Sequence, residues 1–133
     1  MEPVKDIKIV KNFSQLLEEM ANSGGFQGRE MGVAFQILKK MKKEKEENKC
    51  KIFLSFPACI ISTGTRGIIK ELVKRKIVDV IITTPGTADH DLARIWKDYY
   101  KGEFNADDTE LSKKHIHRLG NVFIPRENYG IIL

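Results

Sequence analysis

The sequence has only two cysteines, Cys50 and Cys59, nine positions apart. They form no Cys-x-x-Cys pair and have no histidine at zinc-finger spacing, so neither a disulfide-stapled scaffold nor a zinc ribbon is expected. Free thiols in a reducing compartment follow, and the cytoplasm is the expected location; Cys59 reads as a small buried residue. No run approaches the roughly 20 apolar residues of a membrane-spanning helix. The opening Met1-Glu2-Pro3-Val4-Lys5-Asp6 lacks the basic-then-apolar layout of a secretory signal, so no membrane partner is expected. Internal repeats and low-complexity linkers are missing as well. So are the dinucleotide and P-loop glycine fingerprints, and no elbow or base motif frames a nucleophilic serine or cysteine.

What is present suffices for one core. At 133 residues there is room for one compact domain, and with 41% apolar against 31% charged residues the chain is no disordered tail. The net charge of +5 comes from 23 cations interleaved with 18 acids, which favours acidic partners only mildly. The run Lys39-Lys40-Met41-Lys42-Lys43-Glu44-Lys45 is followed by Glu46-Glu47 and holds no aromatic residue to stack on a base. It reads as a solvated helix end, and no direct nucleic-acid contact is expected.

Phe13, Leu16, Leu17 and Met20 recur at helical spacing and stop at Asn22-Ser23-Gly24-Gly25, which makes residues 1–23 a helical appendage. A second, long helix follows, with an apolar stripe of Met31, Val33, Ala34, Ile37, Leu38 and Met41. Lys51 to Phe56 is a short β-favouring run closed by Pro57. Ile60 to Gly67 is turn-rich and enters a helix carrying Ile68, Ile69, Leu72 and Val73, with Ser62 or Thr63 as its cap. Ile77 to Ile82 is apolar at odd and even positions apart from Asp79, the pattern of a strand buried on both faces. Strand, helix and strand together span about 30 residues, the size of a βαβ unit in a parallel sheet. Thr83 to Asp91 is small and polar, Leu92, Ile95, Trp96 and Tyr99 return to helical spacing, and Asn121 to Ile124 reads as a third strand stopped by Pro125.

Ligands of open parallel sheets sit beyond the carboxyl ends of the strands. Two segments therefore matter. Ser62-Thr63-Gly64-Thr65-Arg66-Gly67 reads either as an ordinary strand-to-helix turn or as a phosphate cradle. Asp89-His90-Asp91 places three ionisable groups in one stretch, either as a polyamine clamp, acid/base or metal site, or as acids complementing a helix dipole. A metal held by that trio with His115 and His117 is not expected, because His-x-His on a helix sends its two rings to different faces, whereas on a strand both would face one side.

Several blocks, in order and spacing, resemble the amino-terminal half of deoxyhypusine synthase. They are Ile52-Phe53-Leu54, Ile61-Ser62-Thr63-Gly64-Thr65-Arg66, Val78-Asp79-Val80-Ile81-Ile82-Thr83-Thr84-Pro85-Gly86, Gly102-Glu103-Phe104, Arg118-Leu119-Gly120-Asn121 and Pro125-Arg126-Glu127-Asn128-Tyr129. The resemblance implies an α/β fold, a Rossmann-like parallel sheet flanked by helices and incomplete without a partner chain, with residues 24–133 as the amino-terminal half of an NAD-binding domain. It also implies NAD as cofactor, spermidine as aminobutyl donor, and a lysine of the hypusine-containing translation factor precursor as acceptor.

By the same resemblance Ala58, Cys59, Ile60, Ile61 and Ser62 line the NAD site after the first strand, and Thr84, Pro85 and Gly86 approach it after the second. Asp89 and His90 fall where the family faces spermidine, His90 also near the cofactor; a carboxylate at Asp89 suits an ammonium group. His90 departs from the paired acids of the eukaryotic members. No segment matches the one that carries the family's catalytic lysine. The apolar ending Tyr129-Gly130-Ile131-Ile132-Leu133 adds to the expectation of a split enzyme whose second chain brings the carboxyl-terminal half and that lysine. A truncated form is the rival account of the length. The rival functions are a homospermidine synthase-like half, passing the aminobutyl group to a free diamine, and a non-catalytic NAD-binding regulatory subunit.

Overall fold

The structure, a computed structural model, describes residues 3–130, with side chains through Asn128. The apolar ending Ile131-Ile132-Leu133 lies outside the described residues. The chain divides into two compact units, Met1–Ile52 and Phe53–Leu133. No helix among the described residues is long and apolar enough to cross a membrane.

In the first unit, helix α1 (Phe13–Asn22) begins at Asn12, whose side chain accepts a hydrogen bond from the Gln15 N–H at 3.0 Å. Helix α2 (Phe26–Glu46) follows after a turn through Gly24, at φ +67°. The two helices meet at Gly32. A Cβ there would stand 2.3 Å from the Ala21 nitrogen and 2.5 Å from the Leu17 carbonyl oxygen, so only glycine lets the backbones approach so closely. Leu17 is buried, whereas Met31, Ile37 and Leu38 of the apolar stripe are more than half exposed. The face that packs on α1 is the glycine face, not the stripe.

The second unit starts with β1 (Phe53–Phe56), a 3-10 turn (Ala58–Ser62), α3 (Arg66–Lys74), β2 (Val80–Thr83) and α4 (Gly86–Trp96). β1 and β2 pair in parallel, from Phe53 opposite Val80 to Phe56 opposite Thr83, with α3 as the crossover. This is the α/β arrangement of a Rossmann-like strand–helix–strand unit. Two details depart from the sequence reading. β2 begins only at Val80 and is not buried on both faces: Val80 and Ile82 are exposed, because no further strand of the described residues flanks it and no layer covers it. Ser62 and Thr63 do not cap α3. Their hydroxyls turn back onto the Cys59 and Ile60 carbonyls, at 2.6 and 2.7 Å, and Thr65 opens the helix without a side-chain cap.

The rest of the unit is β3 (Tyr100–Lys101), α5 (Asp108–Lys113), β4 (Ile116–Leu119), β5 (Val122–Pro125) and α6 (Glu127–Gly130). The expected third strand exists as β5, but in a separate antiparallel sheet ordered β3-β5-β4. β4 and β5 form a hairpin around Gly120-Asn121, with Gly120 at φ +60°, the left-handed conformation such two-residue turns demand. Phe56, Ile61, Ala93, Leu111 and Ile124 are its buried apolar residues.

Candidate functional site

The parallel register places the ends of β1 and β2 side by side, and side chains then tie the emerging loops together. The Thr83 hydroxyl donates to the Phe56 carbonyl at 2.7 Å and lies 2.6 Å from the Thr87 hydroxyl. One residue on, the Ala58 N–H donates to Thr84 Oγ1 at 3.1 Å. Gly86 opens α4 where a Cβ would stand 3.2 Å from the Ala58 Cβ, a tight contact, so the missing side chain eases the approach of the two loops. Ala58, Thr84 and Gly86 are thus brought together, with Pro85 as the residue preceding α4.

The 3-10 turn offers a ligand mainly backbone. Ile61 and Ser62 are buried and Ile60 half-buried, and the Ser62 hydroxyl is committed to the Cys59 carbonyl at 2.6 Å. Cys59, read as buried, is exposed: a turn this short has too few neighbours to cover every side chain.

Asp89, His90 and Asp91 sit on α4, where consecutive residues diverge by about 100°. Asp89 is half-buried in the first turn. Asp91 pairs instead with Arg66 of α3, Oδ1 to Nε at 2.6 Å. His90 is buried, its Nδ1 3.0 Å from the Tyr99 hydroxyl and its ring edge-on to that of Tyr99. Burial pushes the imidazole pKa below its ordinary value; the Asp89 charge pulls it back up, and the Arg94 charge adds to the lowering. The site therefore favours the neutral imidazole over the imidazolium. The trio does not converge on a point, and among the described residues no group of three or more histidine, cysteine or acidic side chains gathers as metal ligands do. His115 and His117 border a different, polar hollow of about 370 Å³ beside β4.

A larger cleft of about 1180 Å³ opens between α3 and α4 at the strand ends, and Ile61, Thr84 and Pro85 stand on its wall. Four cations, Arg66, Lys70, Lys74 and Arg94, face it against a single acid, Asp91. Ala58, Cys59, Ile60, Ser62, Gly86, Asp89 and His90 do not line this cleft. Sequence reasoning missed Arg94, whose Nη1 donates to the Ile61 and Thr63 carbonyls at 2.7 Å each. Its spacing held the signal, since it lies four residues beyond His90 on the same helical face, as Lys70 and Lys74 repeat every four from Arg66.

A family model described as deoxyhypusine synthase matches residues 15–132. This chain belongs to the deoxyhypusine synthase family, a family of transferases. A "probable deoxyhypusine synthase" of Picrophilus torridus is 54% identical over 134 residues, covering 99% of this chain and 42% of the relative. Another, of Thermoplasma acidophilum, is 48% identical over 133 residues, covering 98% and 42%. The crystal structure of a "putative deoxyhypusine synthase" from Entamoeba histolytica aligns at 26% identity and TM-score 0.49, over 84% of this chain and 44% of that one. The chain thus spans about two fifths of the length of the curated relatives it matches.

Within the deoxyhypusine synthase blocks, residues far from the loops shape the scaffold. A Cβ on Gly102 would stand 2.3 Å from the Phe123 ring, so Gly102-Glu103-Phe104 can cross β5 only with glycine at its head. Arg118 grips Asp108 with two bonds, at 2.6 and 2.7 Å, and also donates to the Phe104 and Gly120 carbonyls. Asn128, 1% exposed, donates from Nδ2 to the Ala93 and Lys97 carbonyls at 2.9 and 2.7 Å and so closes the C-terminal end of α4.

Proposed function

We propose that this chain supplies the NAD- and spermidine-facing loops of a deoxyhypusine synthase acting in the cytoplasm, where Cys50 and Cys59 stay reduced. A second chain brings the carboxyl-terminal half and the catalytic lysine. The acceptor is a lysine of the hypusine-containing translation factor precursor. The observation that carries this reading is the pair of loops joined at Ala58 and Thr84, at the carboxyl ends of parallel strands, in a deoxyhypusine synthase family chain two fifths as long as its relatives.

The residues present fit a dinucleotide. A Cβ on Gly64 or Gly67 would meet nothing within 4 Å, so a ligand can approach the start of α3 closely, and four cations face the cleft beside it. Ala58 to Ser62 and Thr84 to Gly86 would hold NAD chiefly through backbone groups, since Ser62 has spent its hydroxyl internally. NAD, when bound, supplies hydride acceptance and return, which keeps the overall transfer redox-neutral. Asp89 is suited to hold an ammonium group of spermidine by a charge-assisted hydrogen bond. Burial of its neighbour His90 disfavours the imidazolium, whose charge would repel that polycation.

Co-expression with a chain carrying the remaining length of the family tests the reading. The mixture is expected to form NADH in a spermidine-dependent manner and to modify the precursor protein, while this chain alone does neither. Asp89→Ala in the mixture should lower that rate about tenfold or more. Full activity of this chain alone, or unchanged turnover and spermidine affinity in Asp89→Ala, overturns it. Putrescine offered in place of the precursor protein separates a homospermidine synthase-like half.

A further inference from the structure

The 3-10 turn ends at Ser62, and only three residues separate it from α3, whose Arg66 N–H reaches back to the Thr63 carbonyl at 3.4 Å. The turn has no side-chain cap at its start, and at its end the Ser62 and Thr63 hydroxyls are occupied by the Cys59 and Ile60 carbonyls. The carbonyls of Ile61 and Thr63 also converge on one atom of another element, Nη1 of Arg94, at 2.7 Å each. The guanidinium carbon lies 5.6 Å from the centroid of the Tyr99 ring, and the Tyr99 hydroxyl is the group held against His90 Nδ1. One arginine thus touches the loop after β1 and, through Tyr99, the α4 residue that the proposed function turns toward the substrate. Among the described residues no ion pair joins it to a carboxylate. Its charge is directed at neutral carbonyls, whereas Arg66 beside it takes Asp91.

We propose that Arg94 is a positioning residue: its guanidinium, over the Tyr99 ring and donating from Nη1 to the Ile61 and Thr63 carbonyls, clamps the loop Ala58–Thr63 onto α4 and thereby sets the spacing between the cofactor-facing loop and the amine-facing helix. A guanidinium suits this place better than an ammonium, because it is planar, stacks on an aromatic ring and presents donors in fixed directions. The cofactor aspect of the role rests on the function proposed above; the clamp itself rests on the geometry alone.

The two aspects are tested separately. In the 133-residue chain, Arg94→Ala is expected to raise amide hydrogen exchange at Ile61 to Gly67 while leaving β1, β2 and α4 protected. Arg94→Lys, which keeps the charge and loses the fork, should show the same change to a smaller degree. Unchanged exchange in that loop in both variants, or loss confined to other elements, overturns the clamp. If Arg94→Ala loses protection throughout the second unit, Arg94→Lys alone decides, by whether its loop opens. In the reconstituted complex, Arg94→Ala should weaken NAD binding about tenfold, with Arg94→Lys recovering part and kcat at saturating NAD little changed. NAD affinity equal to wild type removes the positioning role. Failure of the wild-type complex to bind NAD at all removes the cofactor reading and leaves the exchange result standing.

Discussion

His90 shows how one buried side chain sets a pH dependence. Its pKa is lowered in the folded chain by burial, against the Asp89 charge and with the help of Arg94. Between the ordinary imidazole value and the lowered one, the unfolded chain binds more protons than the folded chain. Stability is therefore full above that window, falls as pH drops through it and levels off below. His90→Gln should flatten this slope, read as the change in urea midpoint between about pH 8 and about pH 5. Gly102 makes a steric claim of the same scale: Gly102→Ala drives a methyl group into the Phe123 ring and should cost about 1–3 kcal/mol in chemical denaturation. These effects differ in how far the sequence reveals them. Asp89 and His90 stand out as ionisable residues in a small-residue stretch, but the setting of His90 depends on Tyr99, which lies beyond the end of α4, and on the charge of Arg94 one turn on. The exposure of Cys59 was hidden for the same reason, since residue type says little about how many neighbours a five-residue turn can gather.

Among elements, the helices were legible and their packing was not. The period of Phe13, Leu16, Leu17 and Met20 marks α1, and Asn12 to Gly25 contains its cap and its stop. The period of α2, however, points at its apolar stripe, whereas the crossing with α1 uses Gly32, a residue that carries no hydrophobic signal. Gly32→Leu should separate the two helices, because the obstructing atoms are backbone and cannot swing away. Limited proteolysis would then cut within 13–22 much faster than in wild type, with β1 to α4 of the other unit equally protected in both. The parallel pair was legible from two apolar runs separated by a helix. The antiparallel sheet was not, since β3 is two residues long and β4, Ile-His-Arg-Leu, has no run of apolar residues; their pairing is fixed by the Gly120 turn and by the grip of Arg118 on Asp108.

For the whole molecule, the exposed apolar residues of the parallel pair are the feature to explain. Phe53 is 62% exposed and Ile82 57%, although strands of a parallel sheet are ordinarily covered on both faces. Under the proposed function a second chain supplies that cover. Phe53→Thr with Ile82→Thr should then leave the stability of this chain within about 0.5 kcal/mol of wild type, as surface substitutions do. The same pair should abolish co-purification with the chain carrying the remaining length. Retained assembly would mean that the contact lies elsewhere. The run Ile77 to Ile82 reads as a strand buried on both faces; under the proposed function that burial is completed by the second chain, and this chain by itself leaves Ile82 open.

The spacing of the two sheets also sets an order of events when the chain folds. The β4–β5 hairpin closes across two residues, while Phe53 must find Val80, 27 positions along, before the parallel pair can align. Short loops close sooner than long ones. A complete chain refolding from denaturant is therefore expected to close its hairpin before it brings Ala58 against Thr84, an order that pulse-labelled hydrogen exchange would read.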